Sequence, residues 1–508
     1  MLARTSSYTT IGLEALPVDV EVDAAQGLPT FTIVGLPDQA VKEAKERIRA
    51  AILNSLYRLP SKRFTVNLAP ADVKKEGGVF DLAMALGLLA VSGQLDPAAL
   101  ASVVVLGELA LDGSVRPIRG TLPIALALRK RCCRLLVPAS NAPEAAVVDG
   151  LQLVPVRSLR EAVEALTGTG QPAPCPSPPP RSSHRRETDR RDDLDFADVK
   201  GQAYVKRALE VAVAGHHHAL LIGPPGSGKT MLAQRIPTIQ PSLSLEEALE
   251  ATTIHSVAGL LGGQPLLRHR PFRAPHHTSS AIALVGGGPL PKPGEVSLAH
   301  HGVLFLDELP EFRRDVLESL RQPLEEGCVH IARARRSLTF PARFMLVAAM
   351  NPCPCGYLTD PSRGCRCPST KVATYLAKIS GPLLDRIDLH VDVPAVPFDA
   401  LTHAPSGETS AQIRARVLKA QKWRHKRGQK HTNAQLTSKE LKTHCDMTPE
   451  AWSLLKSAMR ELMLSARSYT KILKISRTIA DLAASHRILP EHIAEAIQYR
   501  SLDRQWWG

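Results

Sequence analysis

The sequence predicts an α/β protein of at least two folded units, the second ending in helices alone. Three observations carry that prediction: the length, a break in composition between Gly168 and Arg191, and the hydrophobic periods on either side of the break. At 508 residues the chain is about three to four times the common domain size. Its hydrophobic content of 44% and charged content of 22% exclude a wholly disordered chain, which could not bury enough apolar surface to offset its ordering entropy.

The break reads GTGQPAPCPSPPPRSSHRRETDRR, a Pro-, Ser- and then Arg-rich run with almost nothing to bury, which is the composition of a linker. The expected division is therefore residues 1–167, a linker at 168–191, an α/β core at 192–405 and a helical domain at 406–508. In the first unit Val18, Val20 and Val22 alternate with Asp19, Glu21 and Asp23, and Phe64, Val66 and Leu68 with Thr65 and Asn67. Both segments read as half-buried strands. Asp38 reads as the N-cap of a helix whose inward positions Val41, Ala44, Ile48, Ile52, Ser55 and Leu56 fall near the helical period. Beyond the linker, short apolar strands alternate with helices, which favours a mainly parallel sheet covered on both faces. Strand patterns fade after Pro405.

Lys and Arg total 63 against 49 Asp and Glu, giving a net charge of +14, a sign that favours polyanions such as nucleic acid. The N-terminal stretch has no apolar segment suited to a signal peptide, and no run approaches the roughly eighteen apolar residues of a membrane span. The expected location is the cytoplasm, with no membrane partner. Nine cysteines are too few for a disulfide scaffold of this size.

The strand-like His218–Ile222 runs into Gly223-Pro224-Pro225-Gly226-Ser227-Gly228-Lys229-Thr230 and then into a helix-like segment from Met231. Strand, glycine loop and helix in that order are the setting of a P-loop. Its backbone N–H groups converge on phosphate at the positive end of a helix, Lys229 reaches the β and γ phosphates of ATP, and Thr230 ligates Mg²⁺. Val303-Leu304-Phe305-Leu306 leads an apolar strand into Asp307 and Glu308, where Asp307 would hold Mg²⁺ and Glu308 would activate the attacking water. Another strand, Phe344–Met350, ends at Asn351, read as positioning that water. Arg386 stands beside Asp385 and Asp388. It is either a surface ion pair or an arginine finger offered to a neighbouring subunit's nucleotide.

With these segments in this order the chain resembles the AAA+ ATPases. The resemblance implies that Leu464-Ser465-Ala466-Arg467 opens a sensor-2 helix, with Arg467 reaching γ-phosphate and Arg477 as second choice, and that the protein works as a homo-hexameric ring. Arg270-Pro-Phe-Arg273-Ala-Pro-His276-His277-Thr-Ser-Ser280 and Gly286-Gly-Gly-Pro narrow it: nearly the whole chain resembles the magnesium-chelatase-like AAA+ proteins of the ComM/YifB type. His276 and His277 receive no role. The N-terminal unit resembles the α/β domain of Lon-type proteases, through Lys75-Glu76-Gly77-Gly78 and Gly107 to Pro117. Val79 and Leu122 occupy the positions of that family's nucleophilic Ser and Lys base, so peptidase chemistry is not expected.

Arg333, Arg335, Arg336 and Arg343 lie between two short β-like segments with no acid among them. They form either a solvated edge or a basic hairpin that contacts DNA phosphates in a ring's pore. A second basic run, Arg414 to Lys442, includes Trp423, and reads as a DNA clamp or a solvated helix face. Cys353, Cys355, Cys365 and Cys367 form C-x-C-x₉-C-x-C directly after Asn351. Four thiolates so spaced can close a structural Zn²⁺ site, with redox thiols or core cysteines as alternatives. The resemblance implies an ATP-driven motor on single-stranded or branched DNA, a helicase promoting branch migration in natural transformation and recombination. The alternative is a chelatase-like subunit that remodels a protein partner for metal insertion.

Overall fold

Alternation along Glu14–Ala25 and Arg63–Ala69 turns Val18, Val20, Val22, Phe64, Val66 and Leu68 into one buried face, as expected of half-buried strands. In the computed structural model, which describes residues 1–500 apart from 76, 130, 132, 170–193, 289–290, 333–336, 360–362, 397–406 and 463, these strands lie in a seven-stranded mixed sheet. Its order is Thr30–Val34, Arg63–Ala69, Glu14–Ala25, Leu2–Ile11, Val103–Val105, Arg134–Pro138 and Gln152–Val156. The helix Gln39–Asn54 begins where the cap residue predicts, with the Asp38 carboxylate accepting from the Val41 amide at 2.8 Å. It ends sooner than its period suggests. Ser55 is the C-cap, and Leu56 turns left-handed at φ 67°, a conformation less favourable for a side chain than for glycine, with Leu56 80% exposed.

Helix Asp81–Val91 is buried along its whole length and forms the centre of this unit. Val79 and Leu122, the positions of the protease-type Ser and Lys, pack into one apolar cluster with Leu106, Leu135 and Val137. Neither offers a proton or a lone pair for covalent chemistry. Helix Leu245–Ala258, although it follows the P-loop in the chain, groups with this N-terminal unit. Its Leu249 joins the same apolar cluster, and its Ser256 hydroxyl donates to the buried Glu144 at 2.5 Å. Glu144 also accepts from the Leu122 amide at 2.9 Å. The linker expected at 168–191 lies outside the described residues except for Gly168 and Thr169.

The second unit is built on five strands, all parallel, in the order Phe272–Arg273, Val303–Leu306, Met345–Met350, Ala219–Ile222 and Leu389–Asp392. Val303–Leu306, Met345–Met350 and Ala219–Ile222 are buried at every position, which is why they read as continuous apolar runs rather than alternating ones. Helices follow from Ser410 to Gln498, the lid region. No helix among the described residues is long and apolar enough to cross a membrane.

A buried polar chain ties the lid to the sheet. His217 Nδ1 lies 3.2 Å from Asp388 Oδ2 at the start of strand Leu389–Asp392, and its Nε2 lies 2.8 Å from the Thr478 hydroxyl on helix Ala466–Leu482. Asn433 donates to both Thr478 and Asp481, and Asp481 accepts from Arg427 at 2.6 Å and Arg477 at 3.1 Å. Arg477 is fully buried. Removing one member of a buried charge cluster leaves the others uncompensated, so Asp481→Ala is expected to cost about 3–5 kcal/mol. Chemical denaturation followed by a probe in the lid should show the midpoint fall, while Ser485→Ala, whose backbone carbonyl still accepts from Arg477, stays close to wild type.

Candidate functional site

The turn after strand Ala219–Ile222 is shaped by glycine where no side chain fits. A Cβ at Gly223 would stand 2.1 Å from the Val393 carbonyl oxygen, and Gly228 adopts φ 85° immediately before helix Lys229–Ile239. Residues 223–228 therefore wrap the N-terminal end of that helix, as a P-loop does. The Lys229 side chain folds back over the loop and donates to the carbonyl oxygens of Gly223 and Pro224 at 2.7 and 2.9 Å and to Asn351 Oδ1 at 3.2 Å. Burial lowers its ammonium to about 8, with Asp307 pulling the other way. The next residue, Thr230, donates its hydroxyl to Asp307 Oδ2 at 2.6 Å.

Strand order makes this meeting possible. Ala219–Ile222 lies beside Met345–Met350, which lies beside Val303–Leu306, so the residues leaving their carboxyl ends share one edge. Lys229, Thr230, Asp307 and Asn351 are thereby brought together. Glu308 is turned elsewhere. Its backbone is left-handed at φ 52°, and its Oε2 lies 3.3 Å from Nδ1 of His277, one of the two histidines without an expected role. His276 stacks on His277 at 4.1 Å between ring centroids, and its Nδ1 lies 2.9 Å from the Thr278 hydroxyl.

Arg386 is held within its own chain, donating to the Pro382 carbonyl and pairing with Glu325, so that only 16% of its side chain is exposed. Arg467 pairs with the adjacent residue, its Nη1 3.2 Å from Asp385 Oδ2. Two further cations grip the same loop, since Lys471 and Arg500 donate to the Ile387 carbonyl at 2.8 and 2.7 Å. Burial raises Asp388, but the hydrogen bond from His217 and the Lys471 charge outweigh it and hold the carboxyl well below its usual range. Arg477 has no route to a nucleotide, because its guanidinium is spent on Asp481 and on the Ser485 and His486 carbonyls.

The four cysteines after Asn351 close on one point, all four sulfurs lying within 4.8 Å of one another. Cys353 to Cys355 is 3.3 Å, and Cys353 and Cys355 are each 3.6 Å from Cys365. Tetrahedral zinc with sulfur at about 2.3 Å needs edges of about 3.8 Å, so the donor set fits that ion. Backbone hydrogen bonds from Tyr357 and Arg366 pull the Cys355 thiol down, while the neighbouring sulfurs push Cys365 and Cys367 up, so without an ion the cluster favours a single thiolate at Cys355. This loop also reaches the phosphate site: a Cβ on Gly356, at φ 84°, would come within 2.4 Å of Pro225 Cδ.

The basic hairpin is formed by Cys328–Ala332 and Ser337–Pro341, antiparallel, while Arg333, Arg335 and Arg336 lie outside the described residues. Part of the second basic run is committed internally. Arg416 pairs with Glu210 and Glu408, Arg427 with Asp481, and Trp423 packs edge-on to His486. Arg416 thereby holds the lid to the core through Glu210, while Arg427 braces the lid internally. Sequence reading missed Gln202, left-handed at φ 52°, whose amide donates to the Ser227 carbonyl at 2.8 Å and steadies the P-loop from outside. Only its proximity to a helix start could have flagged it.

Family models described as magnesium chelatase subunit ChlI match residues 195–401, as subunit ChlI of Mg-chelatase residues 20–141, and as its C-terminal part residues 407–500. Competence protein ComM of Haemophilus influenzae is 45% identical over 504 residues, covering 99% of this chain and 98% of its own. YifB of Escherichia coli is 44% identical over 504 residues with the same coverage. A probable DNA helicase, MCM8 of Arabidopsis thaliana, is 25% identical over 215 residues, 40% of this chain and 23% of its own. With three models along its length and near-complete alignment to two relatives, the chain belongs to the magnesium-chelatase-like AAA+ family of the ComM/YifB type.

Proposed function

We propose that this protein is an ATP-hydrolysing, ring-forming DNA motor, a helicase that promotes branch migration during natural transformation and homologous recombination. The observation that carries the reading is the convergence of Lys229, Thr230, Asp307 and Asn351 at the carboxyl edge of a parallel sheet. Lys229 exchanges its carbonyl partners for the β and γ phosphates of ATP, which accept from the same ammonium. Thr230 and Asp307 would hold Mg²⁺, since a hydroxyl and a carboxylate already 2.6 Å apart are the hard oxygen donors this ion takes. The ion, when bound, neutralises phosphate charge. Glu308 takes the proton of the attacking water and Asn351 orients that water.

Arg386 pairs with Glu325 on helix Arg321–Glu326 and Arg467 pairs with Asp385, and neither of these partners is one of the Lys229 contacts. In this reading Arg386 is the finger delivered to a neighbouring subunit's nucleotide and Arg467 reaches γ-phosphate from the lid, hence a homo-hexamer. The excess of basic residues, the hairpin carrying Arg333, Arg335 and Arg336, and the names competence protein and probable DNA helicase among the relatives support DNA, single-stranded or branched, as the partner.

The ChlI models favour one other reading, a chelatase-like subunit that remodels a protein partner for metal insertion. ATPase stimulated by such a protein and indifferent to DNA would select it.

Lys229→Ala is expected to lose nucleotide binding, and Glu308→Gln to bind ATP without turnover, in fluorescent-nucleotide titration and phosphate-release assays run together. Arg386→Ala should cut turnover by about 10³–10⁵ at unchanged nucleotide affinity. In strand exchange on forked and three-stranded DNA, wild type should move branches and Lys229→Ala should not, with DNA affinity falling steeply as salt rises. ATPase that ignores DNA at low salt overturns the motor.

The cysteine cluster we assign to structural zinc, which would stiffen the loop beneath Pro225. One zinc per chain should be released by a thiol-blocking mercurial into a colorimetric chelator, and Cys353→Ser with Cys365→Ser should lower the thermal midpoint. Protein purified under reducing conditions without zinc would count against it.

A further inference from the structure

The root of the basic hairpin gathers three side chains of metal-ligating type that neither the nucleotide site nor the four-cysteine loop uses. Helix Arg321–Glu326 ends at Gly327, left-handed at φ 67°, and strand Cys328–Ala332 leaves directly from it. Along that strand Val329 is buried, while Cys328 and His330, two residues apart, share the opposite face. The turn at Gly327 brings Glu326 back to them. His330 Nε2 lies 3.4 Å from Cys328 Sγ and 3.4 Å from Glu326 Oε2, and the three ligand atoms all lie within 4.8 Å of one another.

Those separations are close to what a tetrahedral ion sets. With zinc about 2.3 Å from sulfur and about 2.0–2.2 Å from nitrogen and oxygen, the S–N edge is about 3.6 Å and the N–O edge about 3.4 Å. The outer partners are also in place. His330 Nδ1 lies 2.9 Å from the hydroxyl of Thr339, its register partner on strand Ser337–Pro341, and Gln322 donates to Glu326 Oε2 at 3.0 Å. A hydroxyl that accepts from Nδ1–H fixes the tautomer whose Nε2 lone pair faces the sulfur and the carboxylate, as ligating histidines are held. Thiolate and carboxylate together balance a divalent cation. His330 is 45% and Glu326 51% exposed, so a fourth position is open to water.

We propose that Glu326, Cys328 and His330 form a second, three-ligand Zn²⁺ site, completed by water, which ties the root of the basic hairpin to helix Arg321–Glu326. The site is separate from the nucleotide chemistry and stands whether or not the ATPase reading does. Its single sulfur is also separate from the four of the Cys353 cluster, so a readout confined to Cys328 reports on it alone. Hydrogen bonds alone would make the same contacts without holding an ion.

The full-length protein is freed of loosely held metal by gel filtration, titrated with Zn²⁺ alone and treated with iodoacetamide, and alkylation of the Cys328 peptide is followed by mass spectrometry. Zinc should slow that alkylation by about 10-fold or more, because a metal-bound sulfur is no longer a free nucleophile. A chelator should restore the rate, and Mg²⁺ should leave it unchanged. His330→Ala should abolish the protection although Cys328 is intact. Thr339→Val, which removes only the outer hydrogen bond, should raise the zinc concentration for half-protection by about 10- to 100-fold. Should His330→Ala fail to fold, Glu326→Gln carries the same expected loss. Alkylation of Cys328 that ignores zinc, or protection that survives in His330→Ala or Glu326→Gln, overturns the site.

Discussion

Burying the Lys229 ammonium at the edge of the sheet is the constraint on which the rest of the site depends. A cation out of water must have its donors accepted, and here the acceptors are two loop carbonyls and the Asn351 side chain. Each is supplied by a strand that could not end elsewhere. Gly223 follows Ile222 and donates its own amide to Met350, while Asn351 follows Met350 on the next strand. The parallel register of these two strands sets the carbonyls and the amide oxygen level with each other. A triphosphate satisfies the same donors with charge as well as geometry, which is why a resting lysine in this posture suits a phosphate site.

The lid follows from a second polar constraint. Asp388 sits at the start of an edge strand with a largely buried carboxylate, and His217, Lys471 and the amide of His218 supply its partners. Two of these lie on the core, and Lys471 lies on the lid helix. The lid is thereby attached where Arg386 emerges, two residues earlier in the chain. Arg467, Lys471 and Arg500 all act on the Asp385–Asp388 stretch, so the lid is fastened to that loop at three points.

The cysteine loop and the hairpin frame the same centre from outside. Gly356 packs against Pro225 so closely that any side chain would displace the P-loop. The hairpin strand Cys328–Ala332 reaches the segment that carries His277 through Ile331 and Gly286.

Much of this was legible in the chain. The valine alternation of the first unit, the Asp38 cap, the apolar runs of the inner strands and the order strand, glycine loop, helix are local signals, and local backbone chemistry obeys them. Where reading failed, packing and backbone geometry decided. Leu56 continues a helical period, yet the chain turns at Ser55. Arg416 and Arg427 belong to a basic run, yet acids from distant segments claim them. Arg477 lies on the lid helix as expected, yet Asp481 buries it. Helix Leu245–Ala258 lies between two nucleotide motifs in sequence but packs with the N-terminal unit. The sequence by itself determined which residues could bind phosphate, hold a metal or replace a lost nucleophile, because those capacities reside in side-chain chemistry and short spacing. Only the tertiary structure decided which of them meet, because the partner across a sheet edge is set by strand order, and two carboxylates adjacent in the chain can be turned by one left-handed residue toward different neighbours.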